Sequence, residues 1–352
     1  MKKNLVNNVT INKIIVHGGV FHADDVLCAA MARVINPDVV IERNNNPTPE
    51  DVASDGSNGV WVADVGGGRF DHHQADAKTH ENGSKFAACG LLYEVWKPTL
   101  TAGASCEAIR DFESLINFIE EADNGGMMAT SNSIINSFRP CWDDAFSMEY
   151  GFEMAVDFMR KVVTGCLYPV TMSQSDKNIL CRTASLIAHG NGCDPDIDWS
   201  GDILLRGYVM GRRGYVDVIE LAHQLVDINT QMIRAEQAQL RADIYLKGHL
   251  GDHVNDTVVF LDQCLPWMRT LIPSKALYVS YPAIRGGWNI QCVPVAVGDR
   301  TTKKPFPTEW LSSTESRPAG CTFVHPAGFL AAFATREDAE AAAELLTELV
   351  QK

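Results

Sequence analysis

Two periods alternate along the first third of the chain. KIIVH (13–17), 39–42 and VWVAD (60–64) are short runs rich in β-branched and apolar residues, the mark of buried strands. Between the first two, Val26, Leu27, Ala30, Met31 and Val34 recur at helical spacing over 24–35. Asp24 and Asp25 open that helix, where carboxylates meet the positive end of its dipole. Asn, Pro, Asp and Ser crowd 44–58, which predicts a loop. This order predicts a parallel sheet with crossover helices.

Farther on, Ser84 reads as the cap of a helix ending near Trp96, and 106–122 as a second helix stopped by Asn124-Gly125-Gly126. A third helix covers 148–163, with Phe152, Ala155, Val156, Met159 and Val163 on one face. Residues 176–187 are ambiguous between the two periods. A long charge-mixed helix spans 217–246, and GHLGDHVND (248–256) reads as a linker. Strands follow at 258–261, 276–281, 289–297 and 322–324, then a helix over 336–350 capped by Thr335.

A chain of 352 residues exceeds one average core, so two domains are expected. The breaks place a catalytic domain at 1–216, a connecting helix and linker at 217–254, and a C-terminal domain at 255–352. The expected fold class is α/β, with a parallel-sheet N-terminal domain flanked by helices and a smaller mixed α/β C-terminal domain.

Composition narrows the functional classes. A net charge of −14 repels polyanions on average and argues against general coating of nucleic acid. Anionic substrates can still be drawn in by metal ions or a local basic groove. The ten cysteines contain no CxxC pair, so neither a zinc ribbon nor a thioredoxin motif is expected, and each cysteine reads as a small buried hydrophobe. Lys2 and Lys3 precede no apolar core, so no secretory signal is expected. No apolar run approaches the ~18 residues of a membrane span. A cytoplasmic protein is therefore expected, with organellar targeting and homo-oligomer formation left open.

Histidine and aspartate carry the strongest chemical signal. His17, His22, His72 and His73 stand beside predicted strand ends in HGGVFHADD (17–25) and RFDHH (69–73). Asp64 ends a strand before three glycines, and Asp123 ends a helix in EEADNGG. Hard divalent ions prefer carboxylate oxygen, and imidazole shifts the preference toward Mn, Fe, Co or Zn. A cysteine-free His/Asp set suits Mn²⁺. Two ions about 3.5–4 Å apart need a bridging carboxylate and can share a hydroxide nucleophile. Strand carboxyl ends in a parallel sheet converge on one edge, where His17 and Asp64 can meet. Asp25 is the weak member: as Asp24's neighbour on a helix start it is expected to point elsewhere.

HGGVFHADDVLCA, VWVADVGG, RFDHHQ and EADNGG resemble the successive motifs of the DHH phosphoesterase superfamily. More closely, the chain resembles the melanocyte proliferating gene family of metal-dependent hydrolases. NSFRPCWDD (136–144), CLPWM (264–268), KKPFPTEWLSS (303–313) and GCTFVHPAGFLAAFATREDA (320–339) extend the likeness nearly end to end. The resemblance implies that His17, His22, Asp24, Asp64, His72 and Asp123 bind metal, with Asp64 as the bridge. Two Mn²⁺ ions are expected, with Mg²⁺, Co²⁺ or Zn²⁺ as substitutes. His22 stands where the superfamily usually has aspartate, and HGGVFH is one residue longer than the usual spacing. Asp71 would orient a histidine, and His73 would face substrate phosphate.

In the superfamily a C-terminal domain closes over the site. His325, Gly320 and Gly328 would match its glycine–histidine motif. Arg285, Arg300, Lys303 and Lys304, opposed only by Asp299, form a local basic patch suited to phosphate. Trp288 and Trp310 read either as base-stacking platforms or as packing residues. The implied activity is that of a metal-dependent phosphodiesterase, a 3′–5′ exonuclease on RNA or short oligonucleotides. A small-molecule phosphatase or pyrophosphatase and an inactive metal-binding interaction protein are the alternatives.

Overall fold

The computed structural model describes residues 9–351 except 55, 75, 125–129, 170–172, 177, 179–181, 183–202, 213–217, 285, 298 and 300. The chain divides into two compact units. The first comprises 1–140 and 145–234, and the second 141–144 and 235–352.

In the first unit, β1 (Lys13–Val16), β2 (Val40–Arg43) and β3 (Val60–Val62) form a sheet in the order β2-β1-β3, and both pairings are parallel. β1 buries Ile14, Ile15 and Val16 on both faces, as the central strand of a covered parallel sheet must. α1 (Ala23–Ile35) is buried from Ala23 to Ala32. It packs against α3 (Ala88–Leu100) and α6 (Met148–Leu167). The 44–58 loop holds one short helix, α2 (Pro49–Val52). α4 (Cys106–Asp123) begins at Ser105, whose side chain accepts from Ala108 N–H at 3.1 Å. α5 (Thr130–Ser137) precedes α6, where Gly151 lets the helix approach the Phe138 carbonyl. A Cβ there would lie 2.3 Å from that oxygen.

Ser84 is not the cap of α3. That helix starts at Ala88, and its leading N–H groups are taken by acidic side chains from other elements. Asp24 accepts from Ala88 N and Cys89 N, and Glu120 accepts from Ala87 N. The third strand also stops short of Asp64, which adopts the left-handed conformation with φ 59°. The unassigned segment 176–187 lies mostly outside the described residues.

α7 (Ile203–Arg212) and α8 (Val218–Leu250) follow, and the division between units falls within α8. The expected linker at 248–256 is the last helical turn and a 3-10 turn at Gly251–Asn255. In the second unit β4 (Val258–Phe260), β5 (Tyr278–Pro282), β6 (Trp288–Cys292), β7 (Cys321–Val324) and β8 (Leu330–Phe333) form a mixed sheet ordered β4-β5-β6-β8-β7. Only β4 and β5 run parallel. The strand expected over 289–297 ends at Cys292. α9 (Met268–Leu271) and α10 (Thr308–Ser312) are single turns. α11 (Arg336–Gln351) lays Ala339, Ala342, Ala343 and Leu346 against β4, β6 and β8, and Thr335 accepts from Asp338 N–H as its cap. Cys28, Cys89, Cys166 and Cys292 are buried, whereas Cys106 and Cys264 are exposed. Among the described residues no helix is long and apolar enough to cross a membrane.

Candidate metal centre

Register brings the first ligand candidates together. β1 and β3 pair through Ile15 and Val62, so His17 and Asp64 leave the sheet at the same carboxyl edge. The His17 ring hydrogen-bonds the Gly18 carbonyl through Nδ1 at 3.2 Å. A carbonyl only accepts, so Nδ1 carries the proton. Nε2 then faces Asp64 Oδ2 at 3.4 Å and Asp25 Oδ2 at 3.5 Å.

Asp64 spans two groups of donors. Its Oδ2 faces His17, while Oδ1 lies 3.7 Å from both His72 Nε2 and His73 Nδ1. The left-handed backbone at Asp64 turns the chain sharply out of the sheet, a strain of the kind held at functional sites. His72 Nε2 lies 3.1 Å from Asp123 Oδ2 at the end of α4, and its Nδ1 lies 3.9 Å from Asp24 Oδ2. His22 is the N-cap residue of α1, with its ring exposed and 5.5 Å from that of His17. The ligand atoms of His17, His22 and Asp25 fall within 4.8 Å of one another, as do those of Asp24, His72 and Asp123, and those of Asp64, His72 and His73.

Electrostatics make the site costly without a cation. Burial pushes the Asp25 carboxyl up to about 7. Burial, with the charge of Asp123 added, raises Asp24 to about 6. Asp64 is driven well above the usual carboxylate range by burial and by the charges of Asp24 and Asp25. Burial opposes a charge on His72, but its hydrogen bond to Asp123 and the charge of Asp24 outweigh this and raise it. Asp25 Oδ2, Asp64 Oδ1 and His72 Nδ1 are buried without a hydrogen-bond partner. Buried polar atoms are nearly always satisfied. An oxygen-rich cluster with imidazole nitrogen and orphaned acceptors fits divalent cations.

Asp71 holds His73. Its Oδ1 accepts from His73 Nδ1 at 2.7 Å and from His73 N at 3.1 Å, and its Oδ2 accepts from Gly67 N at 2.8 Å. Burial acts upward on Asp71, but these hydrogen bonds hold it at about 2, so it is a carboxylate. The His73 ring is largely exposed, with Nε2 directed away from Asp71.

Sequence reading missed three supports. Asp25, expected to point away, joins the His17–His22 group. Arg139 Nε donates to Phe21 O at 2.8 Å and Arg43 donates to Gly19 O, so two arginines clamp the loop between His17 and His22. Glu120, one turn before Asp123, accepts from His80 at 3.1 Å. Only NSFRPCWDD marked Arg139 in advance, as a shared segment without a role.

The C-terminal candidates divide. Lys303 is a correction. Its ammonium donates to the carbonyls of Leu271, Ser274 and Ala276 at 2.9, 2.7 and 3.1 Å, which uses all three protons on the end of α9. Lys304 is exposed. Arg285 and Arg300 lie outside the described residues. His325 follows β7, and its Nδ1 accepts from Ala327 N at 3.1 Å. Gly328 and Gly320 both have positive φ, and a Cβ on Gly320 would fall 2.0 Å from the Asp338 carboxyl. Trp310 is buried and stacks on Phe306, so it packs a core. The Trp288 ring carries the Arg336 guanidinium at 5.0 Å.

The model of the uncharacterised protein family UPF0160, that of the MYG1 exonucleases, matches residues 13–189 and 217–346. The chain belongs to this family. MYG1 exonuclease of Homo sapiens is 25% identical over 92% of the chain and 82% of its own length. The Mus musculus and Rattus norvegicus proteins of that name are each 24% identical, over 92% of the chain and 81% of their own. No solved structure matches the chain. The matched family region contains every ligand candidate from His17 to Asp123.

Proposed function

We propose that this family member is a metal-dependent phosphodiesterase of the DHH type that removes nucleotides exonucleolytically, 3′ to 5′, from RNA or short oligonucleotides. The relatives' names supply the class of reaction. The observation that carries the reading is Asp64, whose two oxygens face separate donor groups. His17 and His22 with Asp64 would hold one ion, and Asp24, His72 and Asp123 with Asp64 the other. Such ions, Mn²⁺ first among them, supply Lewis acidity and bring the pKa of a water toward neutrality.

The chain's own groups do the rest. Asp71 accepts from His73 Nδ1 and so orients the ring, with Nε2 left on the side where a substrate phosphoryl group would lie. Arg139 and Arg43 hold the 18–22 loop in place. Asp24 is pinned by the first turn of α3 and cannot swing away. With Lys303 engaged by carbonyls, the expected basic patch is shortened. That favours short or single-stranded substrates over long duplexes.

The test is hydrolysis of bis-p-nitrophenyl phosphate against p-nitrophenyl phosphate with Mn²⁺, followed by end-labelled short RNA. Diester preference and stepwise shortening of the RNA are expected. Asp64→Ala and His72→Ala should each lose at least about 100-fold in rate, on the scale of lost electrostatic stabilisation. Full activity in either variant removes the site. Monoester preference assigns a small-molecule phosphatase instead.

A further inference from the structure

Asp25 has an ordinary duty that occupies half of it. As the third residue of α1 it closes the first turn, with Oδ1 accepting from His22 N at 2.6 Å. Its Oδ2 does something else. The side chain is fully buried, this oxygen has no hydrogen-bond partner, and it lies 3.5 Å from His17 Nε2. An unsatisfied buried acceptor is costly and is rarely left without a reason. A helix cap needs neither the second oxygen nor its burial. Ser105 and Ser147 cap α4 and α6 with one oxygen each. Arg43 and Arg139 act on Asp25 through their charge, but neither guanidinium takes up its Oδ2. Arg139 is turned to the Phe21 carbonyl, and Arg43 reaches that of Gly19.

We propose that Asp25 is a ligand of the first cation, with Oδ2 joining His17, His22 and Asp64 in a set of two imidazoles and two carboxylates. The proposal rests on the two-cation reading above. The ligand atoms of His17, His22 and Asp25 already lie within 4.8 Å of one another. Charge supports the assignment. Asp25 adds a buried carboxylate to Asp24, Asp64 and Asp123, and the charges of Arg43 and Arg139 acting on Asp25 do not supply its Oδ2 with a hydrogen bond. Uncompensated charge is expensive away from water. A set with two imidazoles selects an ion that accepts imidazole, such as Mn²⁺, Fe²⁺, Co²⁺ or Zn²⁺, over Mg²⁺.

The experiment is calorimetric titration of metal-stripped full-length protein with Mn²⁺, with bound metal counted by elemental analysis. Wild type is expected to bind two Mn²⁺ per chain. Asp25→Asn keeps its shape and its N-cap acceptor; it is expected to keep one ion at wild-type affinity and to bind the other at least about 10-fold more weakly. Two Mn²⁺ at wild-type affinity in Asp25→Asn overturns the Asp25 assignment and leaves the two-cation reading standing. A wild type that binds no Mn²⁺ overturns both. Should Asp25→Asn fail to fold, wild-type crystals grown with Mn²⁺ decide. An anomalous peak within about 2.5 Å of Asp25 Oδ2 supports the assignment, and a nearest peak beyond about 3.5 Å overturns it.

Discussion

Burial of several carboxylates at one sheet edge has a consequence that titration can read. Asp25 and Asp24 titrate at about 7 and about 6 in the folded protein, against an ordinary carboxyl value near 4. The metal-free folded state therefore holds protons that the unfolded chain has released. Their contribution to stability is fully present below about pH 4 and is lost as pH rises through about 6 to 7. Thermal melts in chelator should show a midpoint falling from pH 5 to pH 8, and saturating Mn²⁺ should flatten or reverse the fall. A metal-free midpoint rising across that window contradicts the account. Asp71, held at about 2, runs the other way and contributes nothing to this window. Its replacement tests orientation instead: Asp71→Asn should lower kcat about 10–100-fold with Mn²⁺ stoichiometry unchanged, measured by rate and by metal analysis. The place of Asp64 was legible because it follows a run that had to be a strand, whereas His72 follows only an isolated bridge at Phe70. The place of Asp25 was not. Adjacent helix residues normally diverge, but both sides of this helix start are buried, so Asp24 reaches α3 while Asp25 turns back to His17. Lys303 misled for a related reason: nothing local distinguishes a lysine that faces solvent from one folded onto three carbonyls.

Elements were legible where their own residues decide them. α1, α4, α6 and β1 follow from apolar period and local caps such as Ser105. The start of α3 is set by partners 33 and 64 residues away, Glu120 and Asp24, which no local pattern reveals. β8 is only four residues long and hides in an apolar run after a turn. The dependence of α3 on Glu120 is open to test at Gly90. A Cβ there would stand 1.9 Å from Glu120 Oε1, so Gly90→Ala should displace the cap. The expected loss is about 1–3 kcal/mol by denaturant titration, as for overpacked cores. The control is Gly248→Ala, on α8 with nothing within 4 Å of the new methyl. It should stabilise by about 0.5–1 kcal/mol through helix propensity alone. Equal effects at the two positions would show that α3 does not lean on Glu120.

At the scale of the whole chain, every proposed ligand comes from the first unit: the end of β1, the start of α1, the 64–73 turn after β3, and the end of α4. The second unit has hydrophobic clusters of its own, one centred on Tyr278, Phe306, Trp310 and Phe333, the other on Trp267, Leu271 and Val279. A ligand stabilises only the cooperative unit that binds it, by about 2.7 kcal/mol at a hundred times its dissociation constant. Amide exchange is sensitive to such local differences. Mn²⁺ at that excess should slow exchange of the most protected amides in 13–35, 60–74 and 106–124 by about 100-fold, the factor that this energy represents. Exchange in β5, β6 and β8 should stay unchanged when measured by mass spectrometry on the full chain. Equal slowing in both units would mean that they unfold as one, and protection confined to the second unit would place the metal elsewhere.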